Sequence, residues 1–513
     1  MRRGLYLSFQ LPRERPVSRP NLAAMLAACL YVSPVTAQQA DLRQYERTIG
    51  AAPVKLEAAD EGQIVRKVKP VRRPKRRSAD SRMLPSLKSY FGANRIGLRG
   101  GESPRDSGLP PPPTIAVTPS ILAKRHPPAR DPPFAPVGFA AGSLRLNPYF
   151  EEDLGYASNP LSLHKATRGS LFENSEAGLS IQSDWARNDL HGALRGGYID
   201  YFRDSPASAP FGDGTIASRY DISKDLSIDG ETHFNIATQP PGSVSLPAGA
   251  PLSTLRRPLV ETFGGSLAGT QKLGEMALSL RGTFDRIVYG NSTFAGGVTD
   301  DLSSDDSTDW GLRGRVAYQI NPTITPFIEA VADRRNYDSF VDSGGYRRDS
   351  NGASASGGVT ISLPHQLTGE ASAGYGSRIY RDPRLPELSG PIFNASLAWG
   401  ASPLTTITLK TTTTLADTAT QGASGAVSRS YIIGVSHELL RNLTLTATAN
   451  YTTNVYSGLN IHDASTNIGL EAEYVLTREF ALKASATRAR FISSLANADY
   501  DSNTFMFGLR FQR

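Results

Sequence analysis

Beyond about residue 140 the chain alternates. Apolar and polar residues exchange places at every step over about ten residues, a few turn residues follow, and a second alternating run begins. Clear copies of the turn are Tyr220-Asp-Ile-Ser-Lys-Asp-Leu-Ser-Ile228, Tyr318-Gln-Ile-Asn-Pro-Thr-Ile324 and Tyr474-Val-Leu-Thr-Arg-Glu-Phe480. Successive side chains of a strand point to opposite faces, so each run makes one apolar and one polar surface. A long series of such runs, short-turned at one end and long-looped at the other, predicts an all-β fold: a transmembrane antiparallel up-and-down β-barrel.

The composition agrees with that economy. Only 39% of the 513 residues are hydrophobic and the mean hydropathy is -0.30, whereas a barrel needs apolar side chains on just one face of each strand. Proline crowds into the stretch before residue 140, and glycine recurs within the later runs, where a barrel wall has to bend. Outside the first forty residues no apolar run approaches the roughly 20 residues of a membrane helix, so any crossing falls to strands.

Arg2, Arg3, Arg13, Arg15 and Arg19 precede the apolar stretch from Leu22 to Val35, and Val35-Thr-Ala37 has the form of a signal-peptidase site. Cleavage there starts the mature chain at Gln38. Leu26-Ala-Ala-Cys29 offers a competing lipoprotein box, with a short apolar region before it. Cleavage after Ala37 discards the one cysteine, which excludes disulfides, thiolate zinc sites and cysteine nucleophiles. The domain organisation therefore reads as a signal peptide over 1–37, a disordered Pro-rich basic periplasmic arm over 38–140, and a barrel over 141–513.

The arm holds Arg66-Lys-Val-Lys-Pro-Val-Arg-Arg-Pro-Lys-Arg-Arg77 and proline patches near 110–113 and 127–136, a composition too poor in apolar surface to order itself. Arg72, Arg73, Lys75, Arg76 and Arg77 suit an anionic cell-wall polymer or a component of a polysaccharide-export machine; a solvated linker is the plainer reading. Nucleic acid is not expected as a partner, because the cluster lacks stacking aromatics and follows an export signal.

Short turns near Arg187, Lys224, Gly274, Pro322, Pro364, Pro403, Arg441 and Arg478 each join two runs. With outer runs at Leu144 to Tyr156 and Asn503 to Arg513 they predict about 18 strands (16 to 18). Longer loops are expected over 206–215, 239–258, 291–307, 338–352, 381–390 and 417–427, all rich in Gly, Pro, Ser and Asp. Bacterial barrels put the tight turns in the periplasm.

The phase of each run assigns its faces. Leu226, Ile228, Phe234 and Ile236 face lipid while Ser227, Asp229, Glu231, His233 and Asn235 face the lumen; Trp310, Leu312, Val316, Tyr318 and Ile320 alternate with Arg313, Arg315 and Gln319. Extended along the chain, the same phase places Arg195, Arg281, Arg335, Lys410 and Lys483 inside with Asp285, Glu329, Asp333, Glu471 and Glu473. Both signs are present, which suits either a transverse field at a constriction or ion pairs that stiffen the wall. Tyr318, Tyr474, Trp399 and Trp185 stand near short turns on the apolar phase, as an interfacial girdle or as ordinary strand aromatics.

The opening Leu146-Asn-Pro-Tyr-Phe-Glu-Glu-Asp-Leu-Gly-Tyr-Ala-Ser-Asn-Pro160 and the repeated Tyr-x-Ile/Leu-turn-Leu-Ser-Ile unit resemble the putative β-barrel porin 2 family of Gram-negative envelopes, over about residues 140 to 513. The resemblance implies an outer-membrane location and a porin-like or polysaccharide-linked role. The last run, Phe505-Met-Phe-Gly-Leu-Arg-Phe511, resembles the C-terminal strand that barrel-assembly machinery reads, although Gln512 and Arg513 follow it.

No His-Glu-x-x-His, phosphate loop or Gly-x-Ser-x-Gly elbow occurs, and His191, His233 and His462 have no partner at a telling spacing. No enzyme activity, metal or cofactor is expected. The reading is a porin-like outer-membrane channel for passive passage of small hydrophilic solutes; the alternatives are a conduit for an extracellular polysaccharide and a structural barrel tethered to the cell wall by its basic arm.

Overall fold

The computed structural model describes residue 134 and residues 136–513 apart from 165–167, 240–241, 245–253, 295–298 and 364–366. The signal peptide, nearly all of the arm with its basic cluster, and the turn at Pro364 lie outside the described residues.

In chain order the strands are β1 (Phe139–Ala141), β2 (Leu144–Ala157), β3 (Ser170–Ser183), β4 (Asp189–Tyr201), β5 (Ala209–Asp221), β6 (Leu226–Thr238), β7 (Thr254–Arg256), β8 (Leu259–Leu273), β9 (Met276–Tyr289), β10 (Ser292–Phe294) and β11 (Thr299–Asp300). Then come β12 (Ser307–Tyr318), β13 (Ile324–Tyr337), β14 (Ser350–Leu363), β15 (Leu367–Tyr380), β16 (Leu388–Ser402), β17 (Thr405–Ala416), β18 (Gly425–Leu440), β19 (Leu443–Ser457), β20 (His462–Val475), β21 (Phe480–Ser493) and β22 (Tyr500–Gln512). Eighteen of them form the wall: β2 to β6, β8, β9 and β12 to β22, each antiparallel to the next. Pairing of β22 with β2, from Gln512 opposite Tyr149 to Thr504 opposite Ala157, closes the ring. Closure removes the free edges that hydrocarbon would leave unsatisfied. Outside the wall, β1 folds back on β2, and β7, β10 and β11 make a small sheet in the connections that follow β6 and β9.

Connections of two to five residues lie at one end, for example 274–275 and 441–442, and at the other all but the four-residue 458–461 are longer, up to 239–258. At the turn joining β8 to β9, Gly274 takes a φ of 63°, a left-handed conformation that only glycine adopts without strain.

Several expected loops are shorter than composition implied. β5 starts at Ala209, so most of 206–215 is wall; likewise Asn351 and Gly352 belong to β14, Leu388 to Gly390 to β16, and Gly425 to Val427 to β18. The glycines there serve packing. A Cβ on Gly214 would meet the side chains of Phe234 and Leu194, and one on Gly197 would meet the ring of Phe211.

Exposure follows the alternation. Trp310, Leu312, Tyr318 and Ile320 are more than half exposed on the outer face, while Arg313 and Gln319 between them are buried. Leu445 and Tyr451 are exposed; Thr446, Thr452 and Asn454 are buried. Tyr318, Tyr474, Trp399 and Trp185 are all exposed at the short-turn end.

Candidate functional site: the inner wall and the narrowed mouth

The inward side chains are organised as cross-strand ion pairs. Arg195 on β4 faces Asp213 on β5 in register and bonds it at 2.6 Å; Asp229 on β6 lies 3.5 Å from Arg219 on β5. Glu231 stands next along β6, opposite Ser266 of β8. His233 approaches Asp285 of β9 at 2.9 Å. Near the long-loop end, buried Arg335 binds Asp309 through three short bonds and also pairs with Asp417, and Asp333 pairs with Arg378. Lys410 stands on β17 between Ser396 and Ile432 in register.

Two arcs of the short-turn half differ in sign. On one, Arg281 and Arg313 are register neighbours on β9 and β12. Arg313 and Arg315 lie 3.6 and 3.7 Å from Glu329, and Arg315 clasps Glu370 of β15 with bonds of 3.2 and 2.5 Å. Arg281 itself donates to the Ser266 hydroxyl at 2.8 Å. From β9 to β15 this half carries three guanidiniums to two carboxylates, with Asp229 and Glu231 two strands away on β6. On the other arc Glu151, Glu471 and Glu473 share two cations: Lys483 reaches Glu151 at 2.8 Å and Glu471 at 3.6 Å, and Arg510 bonds Glu151 at 2.7 Å and lies 3.9 Å from Glu473. Glu176, bonded by the Tyr149 hydroxyl at 2.6 Å, adds another carboxyl. β12 and β21 are nine strands apart in either direction round the wall, so the cation-rich and carboxylate-rich arcs face each other across the bore.

Sequence phase had no means of finding half of these partners. Asp213, Arg219, Asp309, Glu370, Arg378, Glu151 and Arg510 become partners only through strand register, which a single strand does not encode.

At the long-loop end the bore narrows. β16 and β17 are paired from Ser402 opposite Thr405 to Ala395 opposite Thr411; beyond that β17 follows only β18. Side chains bridge the parting: the Phe393 amide donates to the Thr413 hydroxyl at 3.2 Å and the Thr413 amide to the Asn394 side-chain Oδ1 at 3.3 Å. Leu415 and Val427 then pack on Tyr380 and Leu388, which belong to the inward phase of β15 and β16. The tip of the β17–β18 hairpin therefore lies inside the line of the wall. Its loop is held by Arg348, which bonds Asp342 at 2.5 Å and the carbonyls of Ala423 and Thr420 at 3.1 and 3.2 Å. In the same group of loops, hydrogen bonds from Arg384 hold the Asp382 carboxyl well below the usual carboxylate range.

From the opposite side, the segment after β6 crosses to meet that loop. Val244 is buried against Ala423, Ala426, Tyr456 and Ile461, and Gly242 lies so close to the Phe491 ring that no side chain fits there. Nine strands separate β6 from β18 either way round the wall, so this contact spans the mouth.

Among solved structures, similar folds include Acinetobacter baumannii OccAB4, at 13% identity and a TM-score of 0.36 over 72% of this chain and 98% of that one. A BenF-like porin from Pseudomonas fluorescens Pf-5 matches at 12% and 0.38, over 72% and 99%. Pseudomonas aeruginosa OccK2 (OpdF), solved in complex with glucuronate, matches at 11% and 0.37, over 73% and 99%. No curated protein matches the chain. The family model described as putative beta-barrel porin 2 matches residues 131–513, the whole wall and the loops that narrow it, and the chain belongs to that family.

Proposed function

We infer that the barrel is a porin-like channel that passes small hydrophilic solutes by diffusion and performs no chemistry on them. The opposed arcs carry this reading. A cation-rich wall around Arg281, Arg313 and Arg315, facing a carboxylate-rich wall around Glu151, Glu471 and Glu473, sets up a field across the bore that orients dipolar solutes and repels neither sign outright. The family places the chain in the outer membrane. In this reading the short turns face the periplasm, the arm extends there toward anionic cell-wall polymer, and β22 is the strand that engages the assembly machinery. The contact of Val244 across the mouth favours small solutes over an extended polysaccharide.

The test is conductance of the purified barrel in planar bilayers. Steady single-channel steps that show saturable block by a small zwitterion are expected. Silence both in the intact chain and after deletion of 239–258 and 417–424 refutes the channel.

A further inference from the structure

The outer face of a membrane barrel should be free of charge at hydrocarbon depth, and over most of this wall it is. Outward charges elsewhere stand singly near the long-loop end: Glu261, Arg286 bonded to Asp338, Arg334 and Arg429. One sector differs. On β2, β3 and β4, Glu152, Glu173 and Asp200 share the outward phase with exposed Leu154, Leu171 and Tyr198. Glu152 and Glu173 sit diagonally across the β2–β3 pair, and Glu173 lies directly opposite Asp200. Hydroxyls bond two of them, Ser175 at 2.9 Å on Glu152 and Ser208 at 2.9 Å on Asp200. No cation lies within ion-pairing distance of the three among the described residues. On β21, Arg488 and Arg490 likewise point outward; Arg490 has no ion pair among the described residues, and Arg488 has only exposed Asp501 at 3.9 Å.

Depth makes this more than a headgroup fringe. Strands of about 14 residues at a steep tilt rise roughly 33 Å, against an apolar band about 25 Å tall. Glu152 stands five residues below the long-loop end of β2, which puts it roughly 8 Å inside the band. Glu173 stands three residues below the end of β3. Across β21, β22 and β2, Thr487 lies opposite Thr504 and Thr504 opposite Ala157, so with the stagger of about one residue per strand in a tilted wall Arg488 comes near the depth of Glu173, and Glu152 lies deeper.

The acidic and basic faces also match in direction. In a wall of eighteen strands each strand takes about 20° of the circumference, and three copies around an axis along the membrane normal meet their two neighbours in directions about 60° apart. That is the three-strand step from β21 through β22 and β2 to β3. Between the two faces lie the exposed Phe505, Phe507, Phe511 and Phe150, which would meet their counterparts at the axis. Small outward residues, Ala484 and Ala486 on β21 and Ser175 and Ala177 on β3, let two walls approach closely.

We propose that the protein assembles as a trimer of its own copies, in which Arg488 and Arg490 of each copy meet the acidic face around Glu173 and Glu152 of the next. This rests on the barrel lying in a membrane and not on what passes through it. Native mass spectrometry of the full chain, extracted in mild detergent, tests it, with heat-modifiable gel mobility checking that each variant is folded. The wild type is expected at three times the chain mass. Glu152→Arg with Glu173→Arg, or Arg488→Glu with Arg490→Glu, should give folded monomers, and all four changes together should restore the trimer. A monomeric wild type, including one carrying a phosphorylated lipid on the arginines, overturns the proposal. So does a trimer that survives either reversal, or a fourfold variant that stays monomeric.

Discussion

Glu151→Gln should loosen the barrel where its first and last wall strands meet. Glu151 is 1% exposed and faces Arg510, 2% exposed, across the closing pair, with Lys483 bonded to its other oxygen. Glutamine keeps the size and an acceptor but removes the charge that two buried cations share. Removing one partner of a buried pair costs about 3–5 kcal/mol. Lys483 keeps Glu471 at 3.6 Å and Arg510 keeps Glu473 at 3.9 Å, so the lower figure, about 3 kcal/mol, is the expectation. Replacing the pair together, Glu151→Met with Arg510→Met, removes both charges and should cost clearly less than the single change. Urea unfolding in lipid vesicles, followed by tryptophan fluorescence, measures both. A single-variant loss under about 1 kcal/mol, or a double variant no better than the single one, refutes a shared buried charge as the seam's main polar fastening.

Three further outcomes follow from the bore and its mouth. Arg348→Ala releases the carbonyls of Thr420 and Ala423 and leaves Asp342 with only the backbone amides of its own turn, so single-channel recordings should show larger and noisier steps; unchanged conductance counts against a mouth narrowed by these loops. Neutralising Arg281 and Arg313 to glutamine removes two cations from one arc, and at about 10 Å in salt this should raise cation over anion permeability by about twofold in reversal-potential measurements. Because Arg384 lowers the Asp382 carboxyl, the stabilisation from this contact is complete above the ordinary value near 3.9 and fades only as the pH drops through the lower folded one. Carboxyl NMR titration should therefore find Asp382 still ionised at about pH 3, and protonation near the ordinary value contradicts the contact.

Much of the wall could be read from alternation alone. Trp310 and Leu312 against Arg313, or Tyr451 against Thr452, announce inside and outside without any partner strand, because exposure in a barrel has the period of the strand itself. The short turns were legible for the same reason: the alternation stops there. What depends on a neighbour was not. Gly212 and Gly214 look like loop residues until the Phe234 ring is seen beside Gly214. The Arg315 and Glu370 contact joins strands 55 residues apart in sequence. β17 and β18 alternate as regularly as any other strands, so nothing in them signals that their tip leaves the wall; that follows from Leu415 and Val427 meeting Tyr380 and Leu388. The outward carboxyls of β2 to β4 also went unnoticed, since Glu151 and Glu152 are adjacent and only register decides which of them faces lipid.

The closing pair also has a bearing on biogenesis. Tyr149 meets Gln512 only after every strand between them has been laid down, so the growing sheet carries two sticky margins for the whole of its construction and cannot heal them locally. Glu151, Lys483 and Arg510 would be among the last polar groups to lose their water. An intermediate stalled one strand short would offer a hydrated acidic margin on β2, ill-suited to pairing with lipid and open to no strand as well as to its own tail.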